Sequence, residues 1–126
     1  MYDAFDPYDH EAVAVERQRV REQGQAALNW QQLYTWTQGQ PEGRVLGRSC
    51  TNSEDPLCTY LGEVTGTRAV VWGVGPSIKT GYEDRLIKPA WMKALIKETD
   101  HETGDQSGPV TREAYLRVLE RVKPAE

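Results

Sequence analysis

From Asp9 to about Gln38 the chain carries no proline, is rich in Glu, Gln, Arg and Ala, and is bracketed by Pro7 and Pro41. That stretch predicts one long helix over residues 9–38. Val13, Val20, Ala27 and Tyr34 recur every seven residues, which places them on one stripe. The stripe is uneven. Glu16, Arg17, Gln23 and Gly24 fill the same face between Val13 and Ala27, whereas Ala26, Leu28, Trp30, Leu33, Tyr34 and Trp36 crowd the second half. The pattern predicts that the second half docks and the first half projects.

Residues 40–56 form a breaker-rich connector with Gly43, Gly47 and two prolines, and Val45-Leu46 offers a short strand or a helical turn. Residues 57–78 carry two patterns at once. Leu57, Leu61, Val64, Val71, Val74 and Ile78 follow the steps of one helical face, while the β-formers of Thr59-Tyr60, Val64-Thr65 and 67–74 read as a hairpin turning at Thr65-Gly66. Gly62, Gly66 and Gly73 would each cost the helix about 1 kcal/mol. Beyond the Gly75-Pro76 and Thr80-Gly81 breakers, residues 83–97 predict a helix kinked or restarted at Pro89. Residues 99–109 predict a polar loop. A last helix starts at a Thr111 cap, runs to Lys123 and turns Tyr115, Val118, Leu119 and Val122 inward. The fold expected is a single, mainly α domain over residues 1–126, with an α+β alternative in which 57–78 is a central hairpin.

About one residue in five is Leu, Ile, Val or Phe, which leaves a small core, and four Trp and six Tyr enlarge it. A net charge of −4 argues against nucleic acid as the main partner. No apolar run reaches the length of a membrane span, and the acidic start Met1-Tyr2-Asp3-Ala4-Phe5-Asp6 is unlike an export signal. Without export, Cys50 and Cys58 are expected as reduced thiols, although the loop between them would let them meet.

Candidate chemistry is sparse. Residues 69–80 imitate a phosphate-binding loop, but Ile78 stands where glycine must precede Lys79, and Pro76 removes an amide donor. Asp100, His101, Glu102 and Asp105 gather hard ligands in one loop, at a spacing of neither calcium nor zinc sites. For nucleophilic catalysis Cys50, Cys58, Ser49 or Ser77 would need His10 or His101 as a base, Cys50 or Cys58 with His101 being the set to test, and none stands in a nucleophile context. Glu83-Asp84 reads as favouring a helix N-terminus. No catalytic set, cofactor or metal is therefore expected. Trp30, Trp36, Trp72 and Trp91 serve mostly as core anchors, with one or more left for an interface among Arg44, Arg48, Arg68 and Arg85. The residues expected to meet a partner are Val13, Arg17, Val20, Trp36, Arg44, Arg48 and Arg68.

The charged leading helix after Phe5-Asp6-Pro7-Tyr8-Asp9, the aromatic step Trp30-Gln31-Gln32-Leu33-Tyr34 and the glycine-broken segment up to about Gly73 resemble the short virion-associated and assembly proteins of tailed phages. The resemblance implies a mainly helical, non-enzymatic virion component and tips residues 57–78 toward helix. Its expected partners are proteins of a larger assembly near the portal or neck, or further copies of itself, and its expected location is the virion or the host cytoplasm. A soluble inhibitor or regulator of one host enzyme is the alternative function.

Overall fold

A computed structural model describes residues 10–72, 75–79 and 83–125. Among them the elements run α1 (His10–Ala27), α2 (Trp30–Gln38), β1 (Val45–Arg48), α3 (Pro56–Thr65), β2 (Arg68–Trp72), β3 (Gly75–Lys79), β4 (Glu83–Arg85), α4 (Met92–His101), β5 (Pro109–Thr111) and α5 (Arg112–Arg121). The fold is mixed α+β. The mainly helical expectation gives way to the alternative that placed strands in the centre.

The expected long helix is two helices. Asn29 adopts an extended backbone, and its side chain accepts from Gln32 N at 3.0 Å, capping α2. The Ala27 carbonyl at the end of α1 accepts from the Tyr60 hydroxyl at 2.7 Å. A capping residue thus starts a new helix, and a side chain from α3 seals the old one. The first half also meets the body of the molecule, since Val20 and Gly24 are buried and α1 packs on α3 and β3. At Gly24 a methyl group would stand 3.1 Å from Leu86 Cδ1 and 3.6 Å from Ile78 Cγ2, so the missing side chain sets how closely the helix lies.

Residues 57–78 hold both predicted patterns in succession. Asp55 caps α3 by accepting from Leu57 N at 2.8 Å, with Pro56 in the first turn. Gly66, at φ 71°, ends the helix in the left-handed conformation, so Thr65-Gly66 is a helix terminus and not a hairpin turn. The hairpin follows. β2 and β3 pair antiparallel from Arg68 opposite Lys79 to Trp72 opposite Gly75, and β4 joins β3 with Ile78 opposite Asp84. The Gly75-Pro76 stretch is strand instead of a breaker, and Thr80-Gly81 lies outside the described residues. The imitation phosphate loop is therefore strand at each of its described residues, 69–72 and 75–79, with Ile78 fully buried in the core.

Glu83–Arg85 is strand, not helix, and α4 begins only at Met92, past Pro89. The expected polar loop is also divided: α4 extends through Thr99 to His101, and β5 occupies Pro109–Thr111. β5 pairs with β1 in a two-stranded sheet, with a bulge between Val45 and Gly47. A methyl group at Gly47 would collide with the Glu54 carbonyl and stand 2.9 Å from Pro56 N, so β1 passes directly against the chain that enters α3. α5 follows its expected form. Thr111 Oγ1 accepts from Ala114 N at 3.2 Å, and Tyr115, Val118 and Leu119 are fully buried, with Val122 packed at their edge.

The core lies between these layers, drawing on Leu33, Leu57, Leu61, Ile78, Met92, Leu95 and Leu119. Buried hydroxyls at Thr37, Thr65 and Thr99 each donate to the carbonyl one turn earlier, so none enters the core unsatisfied. None of the described helices is long and apolar enough to cross a membrane.

Candidate functional site

The sequence-derived partner residues fall in several places. On α1, Val13 is half-buried, Val20 is in the core, and Arg17 turns inward to a buried carboxylate. Its guanidinium meets Asp84 in a two-pronged pair, Nε to Oδ2 at 3.1 Å and Nη2 to Oδ1 at 2.8 Å, with Arg21 Nη1 at 3.9 Å. That pair holds the Asp84 carboxyl below the usual range through the Arg17 hydrogen bonds, against the opposing effect of burial. Val20 and Arg17 therefore fix α1 to the sheet. The acid at position 84 works from a strand, not from a helix N-terminus. Arg48 and Arg68 are exposed at separate points, and Arg48 Nη2 donates to the Ser107 carbonyl at 3.5 Å.

Trp36 and Arg44 do come together. The Arg44 guanidinium lies 5.9 Å from the Trp36 ring centre, and both side chains converge on Glu63 of α3. Trp36 Nε1 donates to Glu63 Oε1 at 3.3 Å, and Arg44 Nη2 pairs with Oε2 at 2.8 Å. Tyr60 stacks edge-on to Trp36 at 5.3 Å. Next to this clamp an open groove of about 370 Å³ runs between α2 and α3, floored by Trp36, Tyr60 and Val64 and edged by Gln31, Gln32 and Thr35. Glu63, Tyr60 and Val64 were not among the expected partner residues. Their spacing of three and four on a helix is the signal, and it becomes readable once Asp55-Pro56 is taken as a helix start.

Trp30 and Trp91 belong to the core and its edge. Trp30 is buried, stacks on Tyr34 at 4.8 Å and donates to the Leu119 carbonyl at 3.0 Å; Trp91 is half-buried against the core. The side chain of Trp72 lies outside the described residues.

The polar residues singled out near 100 have internal partners. Asp100 Oδ1 accepts from Cys50 N at 2.9 Å, His101 Nδ1 meets Asp105 Oδ1 at 2.8 Å, and Glu102 pairs with Arg117 and Arg121 at 3.1 and 2.9 Å. Glu102 is held below the ordinary carboxylate range chiefly by Arg121. Among the described residues no group of three or more His, Cys, Asp or Glu is arranged to hold a metal.

Cys50 and Cys58 are free thiols, the first exposed and the second buried. Burial pushes the Cys58 thiol up to about 12, and desolvation followed by the charge of Asp100 raises that of Cys50. Both are therefore poor nucleophiles near neutrality. Cys50 has φ 57°, an uncommon conformation for a residue with a side chain, and it edges a second cavity of about 230 Å³. Asp55 and Asp100 line that cavity together with Val71 and Ile96. Burial lifts the Asp55 carboxyl to about 7, with the Leu57 N–H opposing and Asp100 adding to the rise. The Tyr115 hydroxyl, fully buried and without a hydrogen-bond partner among the described residues, lies in the field of the same carboxyl.

No known family model, curated protein or solved structure matches this chain.

Proposed function

We propose that the protein is a non-enzymatic interaction protein of a larger assembly, a tailed-phage particle near its portal or neck, and that it docks through the α2–α3 groove. The observation that carries this reading is the clamp at Trp36. A large aromatic ring is left half-open beside an apolar groove while Arg44 and Glu63 hold its edges in place. Tryptophan and arginine held rigid in this way are the residue types that dominate binding energy at protein interfaces. An ordered anchor also loses less freedom on docking than a mobile one. The groove suits an apolar side chain of the partner, with the glutamines at its rim available for backbone hydrogen bonds.

Absence of catalysis is part of the same reading. The raised thiols of Cys50 and Cys58 and the engagement of His101 with Asp105 support it. The resemblance to short virion proteins supports the choice of assembly over a lone host enzyme.

The test is co-sedimentation and crosslinking with purified particles of the source phage. The wild-type chain is expected in the particle fraction, with crosslinks at α2 and α3, and Trp36→Ala is expected to reduce its occupancy roughly tenfold or more. A monomeric protein absent from particles would defeat the proposal, as would retention unchanged by Trp36→Ala.

A further inference from the structure

The three-stranded sheet β2-β3-β4 has two faces, told apart by its register. Ala69, Val71 and Ile78 turn to the core, and Asp84, opposite Ile78, turns with them beneath α1. The alternate residues share the other face. There Arg68 stands opposite Lys79, Lys79 opposite Glu83, and Ser77 between Val70 and Arg85. Three cations and one acid thus gather on one side of a sheet, in a chain whose net charge is −4. Glu83 answers one of the cations, meeting Lys79 at 3.6 Å. Arg68 and Arg85 are exposed, and among the described residues neither has an acid at ion-pair distance. Arg68 is also set directly against a like charge, which costs a sheet stability and which an arriving anion would relieve. Val70 and Ser77 are buried between the charged rows, so the face has a closed floor and what it offers an occupant is charge.

We infer that this face docks an extended acidic segment of a partner protein, with its acids at alternate positions. Charge complementarity selects the sign, and the two unpaired guanidiniums suit carboxylates, which they grip with parallel N–H donors. Sheet geometry selects the spacing. Residues on one face of a strand repeat every ~6.8 Å, and neighbouring strands stand about 4.8 Å apart. Arg68 and Arg85 are one such repeat apart along the sheet and two strands apart across it. A segment laid along β3 in extended form repeats its own downward side chains at the same ~6.8 Å. One acid then meets Arg68 beside Lys79, and the next meets Arg85. Nucleic acid is disfavoured, because a phosphate backbone calls for a wider basic surface and is repelled by Glu83 and by the acidic balance of the chain.

The full-length, ¹⁵N-labelled chain should be titrated with the peptide acetyl-Glu-Thr-Glu-Thr-Glu-Thr-Glu-Thr-amide at ~20 mM salt, where surface charges are little screened. The amides of Arg68, Ser77, Lys79 and Arg85 are followed by NMR. Saturable shifts confined to this sheet are expected, with affinity falling roughly tenfold when salt rises to ~0.3 M. Arg68→Gln combined with Arg85→Gln is expected to weaken the peptide roughly tenfold or more. Trp36→Ala is expected to leave it unchanged, which separates this face from the α2–α3 groove and lets either stand without the other. Arg68→Glu combined with Arg85→Glu is expected to release the acidic peptide and to take up its counterpart with lysine in place of glutamate, a gain that only a folded variant can show. Absence of saturation up to ~5 mM overturns the proposal. So does wild-type affinity in both double variants, equal binding of a peptide with glutamate at every third position, or tighter binding of an oligothymidylate of the same length. Self-association of the wild-type chain that is lost in the glutamine variant, read by sedimentation against concentration, overturns it in favour of a second copy.

Discussion

Two buried aspartates divide the molecule electrostatically. Asp84, on β4 beneath α1, is 7% exposed and is met by two prongs of Arg17, with Arg21 behind. Asp55, at the head of α3, is buried more deeply still, and its side chain accepts from the Leu57 amide, with no cation paired to it among the described residues. Folding lowers the first carboxyl's affinity for its proton and raises the second's to about 7. The same side chain is thus a fastener in one place and a source of tension in the other. What separates them is whether a cation arrives from the chain itself.

The contrast is broken most strongly at Asp55. Between about pH 4 and 7 the native state holds a proton there that the unfolded chain has released, so this carboxyl makes stability fall as pH rises through that window. Asp55→Asn removes the charge and keeps the cap. It is expected to raise unfolding free energy at pH 8 by roughly 3 kcal/mol and to change little near pH 4, as read by urea denaturation across pH.

The α1 side responds next to steric change. Gly24→Leu drives a side chain into Leu86, Thr65 and Ile78. A loss of about 2 kcal/mol is expected from overpacking, with hydrogen-exchange protection falling in α1 before the rest.

Asp84→Asn comes third. Its contribution is present above about pH 4 and is lost as pH falls through the lowered native value, opposite in sign to Asp55. Because the Arg17 side chain is 35% exposed and screened by water, a loss of about 1–2 kcal/mol at pH 7 is expected, vanishing toward pH 2. Chemical denaturation at the two pH values checks it. The smallest effect is at Val15, 64% exposed on the outer side of α1: Val15→Ser is expected to move the melting midpoint by no more than the equivalent of ~0.5 kcal/mol.

What was legible in the sequence follows from where each signal lies. α5 could be read whole, because its cap Thr111 and the inward Tyr115, Val118 and Leu119 are local to one another. The break at Asn29 was hidden inside a stretch of strong helix formers, and the Tyr60 hydroxyl that closes α1 lies 33 residues away. In 57–78, α3 and the β2–β3 hairpin each supply true periodicity, and only the Asp55-Pro56 start and the Gly66 stop separate them. β4 is three polar residues, unreadable without Arg17 to account for Asp84. For the candidate site, residue types pointed to Trp36 and Arg44, but Glu63, which joins them, needed the third dimension. Asp55 is not marked out in the sequence because nothing local tells a helix cap in solvent from one that is buried.

Where β1 slides past the entry to α3, position 47 has room for a hydrogen and nothing larger. A chain that keeps this crossing must spell glycine there, and in this chain the acid-proline pair that opens α3 follows eight and nine residues later. That short spelling is a fingerprint by which distant kin would be recognised after the rest of their surface had drifted.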